Sequence, residues 1–235
     1  MAKILVGIAT VSPDQRFLGS LPSFFRTVSR DHQLDCHWVF NKPLDEAQNE
    51  IGTKTLEGSY DYLLTIEDDH YEFTAEMLDS LITADKQVCG ISYRSRHYPF
   101  AYVPMKYTHT SDNDIRLFKG QSHPDGIHET DLVGFGFTLI KKEVFEILEF
   151  PWFVYNKENH IGCGPNATDM QFSFRLQKKG IKLFGCWDYF LPHRDITETS
   201  WQNYLVKAIP KKTSLFTHLI NGGVPKDANL ASIGK

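Results

Sequence analysis

The chain has 235 residues, a formal net charge of −4, 41% hydrophobic and 23% charged residues. This balance fits one globular domain with a sizeable core, excludes a disordered or collagenous chain, and gives no general pull toward polyanions. Its four cysteines, Cys36, Cys89, Cys163 and Cys186, are scattered without zinc-knuckle or redox spacing, which reads as reduced thiols in a cytoplasmic protein.

Residues 4–9 form an apolar run behind a single positive charge, Lys3. The run is too short to span a membrane and lacks a signal-peptide cleavage pattern; apolar on both faces, it reads as a central strand of a parallel sheet. A loop with Pro13 and Asp14 follows, then a helix starting near Ser20, with Leu21, Phe24, Phe25 and Val28 inward and Pro22 in its first turn. Residues 37–40 read as a second strand. Asn41-Lys42-Pro43 turns into a helix whose inner face is Leu44, Ala47, Ile51 and Leu56, broken by Gly58-Ser59. A third strand over 62–66 runs directly into Glu67-Asp68-Asp69-His70. Thr74 caps the next helix, with Met77, Leu78, Leu81 and Ile82 inward, and 88–92 is a fourth strand. Strand and helix alternate, which predicts an α/β domain with a mostly parallel sheet flanked by helices.

Residues 93–130 lose the period and read as loops and a small antiparallel ribbon. Residues 131–140 read as a turn entering a strand, 143–149 as a short helix, and 183–187 as a last strand. In between, Met170, Phe172, Phe174 and Leu176 alternate as in a strand, yet their flanks are those of a helix: Thr168 to cap, Asp169 in the first turn, Lys178-Lys179-Gly180 to end. The flanks, with the resemblance described below, decide for a helix. Nothing splits the chain, so 1–235 is one domain, with 207–235 a polar extension that includes Lys207, Lys211 and Lys212.

Four features carry chemistry. Glu67, Asp68 and Asp69 repel one another at a strand end unless a cation sits among them, and residues 67 and 69 fall on one side of an extended segment. Hard oxygen ligands suit Mg²⁺ or Mn²⁺ on phosphates; the plain alternative is a solvated acidic turn. Gly134 and Gly136 around Phe135 permit close approach of a ligand or of another strand. Asp169 is either a general base or a charge complementing the helix dipole. His193, beside Pro192 and Arg194, is one of ten histidines and is not singled out by chemistry alone.

The order of these features resembles the GT-A fold glycosyltransferases, most closely the small family 2-like enzymes, over residues 3–195. Glu67-Asp68-Asp69 is similar to their Asp-x-Asp metal motif, Gly134-Phe135-Gly136 to their glycine loop, and Ala167-Thr168-Asp169 to their x-Glu-Asp motif. His193 falls where their carboxy-terminal metal-binding His is expected. Glu67 stands where the motif has Asp, and Thr168 where it has Glu. The resemblance implies a Rossmann-like GT-A domain, a nucleoside-diphosphate sugar donor (a UDP-sugar first, a GDP-sugar next), and Mn²⁺ or Mg²⁺ held by Asp69 and His193 with help from Glu67 or Asp68. It also implies Asp169 as the base of an inverting transfer. By position, Thr10, Ser12 and Asn41, together with Asp68, Gly134 and Gly136, are expected to bind the donor, and Tyr93, Tyr98, Trp152 and Tyr155 to wall the acceptor or pack beneath it. The acceptor stays open among glycan, protein, small molecule and modified nucleic-acid base. A metal-dependent nucleotidyltransferase or hydrolase, and a non-catalytic nucleotide-sugar binder, are the competing readings.

Overall fold

The computed structural model describes residues 1–95, 102–110, 115–120, 125–155 and 167–194. The expectations for Tyr98, for Cys163 and for the extension 207–235 lie outside the described residues. The first half alternates as β1 (Lys3–Thr10), α1 (Gln15–Val28), β2 (Gln33–Phe40), α2 (Leu44–Glu57), β3 (Tyr62–Ile66), α3 (Ala75–Ala84) and β4 (Val88–Arg94). Short antiparallel pieces follow: β5 (Tyr102–Val103), the ribbon of β6 (Met105–Thr110) and β7 (Ile115–Gly120), β8 (Ile127–Thr130) and β9 (Phe137–Lys141). Then come α4 (Glu143–Ile147), α5 (Thr168–Lys178) and β10 (Leu183–Phe190).

The main sheet is ordered β2-β1-β3-β9-β4-β10-β8, with β5 pairing β4 outside that path. β2, β1 and β3 pair in parallel, as do β4 and β10, while β9 runs antiparallel between β3 and β4 and β8 antiparallel to β10. The sheet is therefore mixed, more so than strand–helix alternation implied. β9 has no crossover helix to bring it round: its entry lies at the carboxyl end of β3, where Glu67 N–H donates to Gly136 O at 3.4 Å, so it can only run back.

Strand alternation divides the core into two layers. β1 sends Ile4, Val6 and Ile8 to one face, against Phe17, Phe24 and Leu78 of α1 and α3, and Leu5 to the other, against Ile51 and the α4–α5 side. Phe24 sits edge-on to Phe73 and Phe137 and is 1% exposed, and each such ring contributes about 1.5–3 kcal/mol by leaving water. Several boundaries differ from the sequence expectation: β2 begins at Gln33 rather than His37, α4 ends at Ile147 rather than Glu149, and β10 runs on to Phe190 rather than Trp187. α1 begins at Gln15, capped by Asp14, whose side chain accepts from Arg16 N–H, and Pro22 lies inside the helix rather than in its first turn. Thr74 caps α3 as expected, accepting from Met77 N–H. At α5, Thr168 is the first helical residue, and the cap position is Ala167, with no side-chain cap bond. Among the described residues no helix is long and apolar enough to cross a membrane. The architecture leaves the carboxyl ends of β1, β3 and β4 and the entry of β9 on one rim, the place where open α/β sheets receive ligands.

Candidate functional site

The chain leaves β3 in a tight turn, with His70 N–H donating to Glu67 O at 3.3 Å. Residues 192–194 then lie antiparallel against this turn. Tyr71 N–H donates to Pro192 O at 3.3 Å, Arg194 N–H to Asp69 O at 2.6 Å, and His70 and His193 form a β-bridge. Backbone pairing thus brings the two imidazoles together across more than a hundred residues, stacked at 4.3 Å with a 20° interplanar angle.

The polar atoms around these rings are oriented. His193 Nδ1 donates to Arg94 O at 3.0 Å and His70 Nδ1 to Pro192 O at 3.1 Å. Each Nε2 faces carboxylate: His193 Nε2 lies 3.1 Å from Asp69 Oδ2, and His70 Nε2 lies 3.8 Å from Glu67 Oε2 and 3.9 Å from Asp69 Oδ1. Asp69, His70 and His193 offer ligand atoms that all lie within 4.8 Å of one another. Carboxylates and ring nitrogens whose other N–H is held by a backbone carbonyl are the donor set a divalent cation takes, so the residues fit one. Asp68 turns the other way. Its Oδ2 accepts from Thr10 Oγ1, and its backbone carbonyl from the N–H of the α1 cap, Asp14, at 3.3 Å. Burial raises the Asp68 carboxyl above its ordinary range, opposed by the Thr10 hydrogen bond and reinforced by the neighbouring Asp69 charge.

The glycine strand entry shapes the other wall. A Cβ on Gly134 would collide with the Tyr93 hydroxyl, and one on Gly136 would stand 2.5 Å from His70 Nε2. Tyr93 is buried, and its phenol is pushed far above its ordinary range, by burial first and then by the charges of Glu67, Asp169 and Asp69. That single hydroxyl thus lies within electrostatic reach of both acidic regions. Asp169 occupies the first turn of α5, where its Oδ1 accepts from Met170 N–H at 2.8 Å. Part of its surface stays open, yet its surroundings desolvate the carboxyl enough to overcome the helix N–H groups and lift it to about 6.

The remaining candidates spread along the rim. Asn41, exposed and left-handed (φ 56°), is tied by its N–H to Thr10 O at 3.1 Å, and Ser12 is exposed in the loop after β1. Trp152 is a core residue rather than a wall: its Nε1 donates to Phe145 O and Leu148 O, while Tyr155 stays exposed. The sequence reading passed over His70, visible only as the neighbour of the acidic triplet, and named Tyr93 for the acceptor wall, whereas its ring packs against His70.

No protein-family model matches this chain, and no curated protein matches it in sequence. Among solved structures it is similar to A197 from STIV, at 17% identity and a TM-score of 0.52, over 82% of this chain and 85% of that one. That likeness concerns the fold. A looser one, with a TM-score of 0.42 and 10% identity over 91% of this chain and 89% of the other, is to a candidate nucleotide-diphospho-sugar transferase from Desulfovibrio desulfuricans G20.

Proposed function

We propose that the chain is a metal-dependent glycosyltransferase that moves a sugar from a nucleoside-diphosphate sugar to an acceptor hydroxyl with inversion. One observation carries this reading: the Asp69–His193 pair, with Glu67 beside it, and a desolvated carboxylate, Asp169, both lie near enough to Tyr93 for their charges to bear on its buried phenol. A cation-fitting donor set and a carboxyl raised to about 6 are two devices that serve displacement of a diphosphate by a hydroxyl.

Asp69 and His193, with Glu67 beside them, would hold Mn²⁺ or Mg²⁺. Bound there, the ion would supply positive charge to the donor diphosphate and make it a better leaving group. Thr10, Ser12 and Asn41 line the rim where the nucleotide lies, UDP first and GDP next. Gly134 and Gly136 let the entry to β9 close against Tyr93 and His70, which form the wall beneath the donor, and Asp68 is fixed by Thr10 at its edge. Asp169 accepts the proton of the attacking acceptor hydroxyl. A direct attack opposite the leaving diphosphate inverts the anomeric centre.

The test is to incubate the chain with a panel of nucleotide sugars and mixed acceptors, with Mn²⁺ or with chelator, and to identify the nucleotide released. Nucleoside diphosphate release that needs both Mn²⁺ and an acceptor is the expected result. Release of sugar 1-phosphate instead identifies cleavage within the diphosphate, by a hydrolase if nucleoside monophosphate is freed with it and by a nucleotidyltransferase if the nucleotide is passed to the acceptor. Tight binding without release identifies a binding protein; any of these overturns the proposal.

A further inference from the structure

We infer that His70 is itself a direct ligand of the ion, so that the site grips it with two imidazole nitrogens and prefers a first-row transition ion to Mg²⁺. The inference rests on the metal-dependent reading above and goes beyond it, since that reading needs only Asp69, His193 and Glu67.

His70 is 0% exposed, and its ring is locked by three independent contacts. Nδ1 donates to the Pro192 carbonyl, one face stacks on His193, and the edge of Tyr93 meets it at 4.5 Å between centroids. A neutral imidazole that donates from Nδ1 carries its lone pair on Nε2. That lone pair points at Glu67 Oε2 and Asp69 Oδ1, at 3.8 and 3.9 Å. These separations are too long for hydrogen bonds. They suit atoms sharing one ion through bonds of about 2.0–2.2 Å, which set neighbouring ligands roughly 3–4 Å apart. His193 is arranged in the same way, Nδ1 on a backbone carbonyl and Nε2 toward Asp69. An imidazole whose second nitrogen is pinned by a carbonyl is the usual posture of a metal-ligating histidine.

Gly136 supports the assignment from the opposite wall. A Cβ there would stand 2.5 Å from Nε2 and 2.8 Å from Cδ2, over the atom that has to reach the ion. The second glycine of the Gly-Phe-Gly stretch therefore leaves Nε2 the room that any side chain at 136 would fill. Mg²⁺ favours an oxygen octahedron and keeps its waters, whereas imidazole nitrogen suits first-row transition ions. Two nitrogens in the set thus shift selectivity away from Mg²⁺. The rival account has a proton, rather than an ion, joining His193 Nε2 to Asp69, with His70 packed beside them as filling.

Mn²⁺ alone, added to the full chain and examined by electron spin-echo spectroscopy, decides between them. The expected spectrum shows two imidazole nitrogens coupled to the ion, and calorimetry shows Mn²⁺ bound at least about tenfold more tightly than Mg²⁺. His70→Gln, checked by its melting curve, leaves one nitrogen coupling and weakens Mn²⁺ about 10- to 100-fold, with a smaller loss for Mg²⁺. If that variant does not fold, the wild-type spectrum still decides. One imidazole in that spectrum, or equal affinity for the two ions, overturns the assignment of His70 while leaving the metal-dependent reading standing. No Mn²⁺ bound at all overturns both.

Discussion

Asp69 and Asp169 are both partly buried carboxylates at the ends of regular elements, yet their surroundings treat them in opposite ways. Asp69 lies in the turn after β3 among Glu67, His70 and His193, and its backbone is fixed by Arg194 N–H. Asp169 stands in the first turn of α5, where its Oδ1 accepts from the Met170 N–H, and burial lifts its carboxyl to about 6. The first environment crowds negative charge and lone pairs together, which favours binding a cation. The second strips water from one carboxyl, which favours exchanging a proton near neutrality. Residue type alone does not separate these roles. The number and kind of neighbours does.

The comparison is broken most severely at Asp169. Asp169→Asn keeps the size and the helix hydrogen bond but cannot take a proton, so the transfer rate is expected to fall about 10²–10⁴-fold. Nucleotide affinity measured with Mn²⁺ is expected to stay within a few-fold of wild type. A variant that loses nucleotide affinity along with rate would merge the two regions into one.

A smaller effect joins them deliberately. Gly134→Ala drives a methyl group into the Tyr93 hydroxyl, whose phenol feels the charges of both regions, and is expected to cost about 1–3 kcal/mol of stability by overpacking. Chemical denaturation measures this cost. Mn²⁺ binding and transfer rate should weaken together, because the displaced ring packs against His70 and His193.

The smallest effect sharpens the comparison by its sign. The Asp169 carboxyl rises from 3.8 to about 6 on folding, so the folded chain holds this proton longer than the unfolded one. Its contribution to stability is full below about pH 4 and is lost as the pH rises through about 6. Asp169→Asn escapes that loss, so its melting temperature relative to wild type should climb between pH 4 and pH 7. A helix-end charge predicts the reverse at pH 7, a loss of about 0.3–1 kcal/mol. In the wild type, transfer should rise with pH through about 6 and then level off, as expected of a base that must be deprotonated.

Much of the scaffold was legible because its signals are local. The third strand reads as 62–66 and is Tyr62–Ile66, and Thr74 caps α3. α5 reads correctly once Asp169 and Gly180 outweigh the alternation of Met170, Phe172, Phe174 and Leu176, since these four also form i,i+4 pairs, with Phe172 and Leu176 buried and Met170 packed against the core. The start of α1 was misread because Pro22 is a strong first-turn signal, whereas the operative cap is Asp14, a signal of equal strength eight residues earlier. β9 could not be oriented from pattern, because its direction is set by contact with β3 rather than by its own residues. Residues 67 and 69 both face His70, but through a tight turn after β3 rather than along the extended segment their spacing suggested. His70 itself was illegible. Its orientation depends on the Pro192 carbonyl, 122 positions away, and on a glycine that keeps its space clear.

The claim that the acidic turn is an ion site serving a diphosphate is tested most directly by titrating uridine diphosphate into the chain calorimetrically. Wild type and Asp69→Ala are compared, each with Mn²⁺ and with chelator. Binding to wild type that requires Mn²⁺, and that Asp69→Ala abolishes while its melting curve stays cooperative, is the predicted result. Binding of equal strength with and without the ion, or unchanged in Asp69→Ala, would contradict the account.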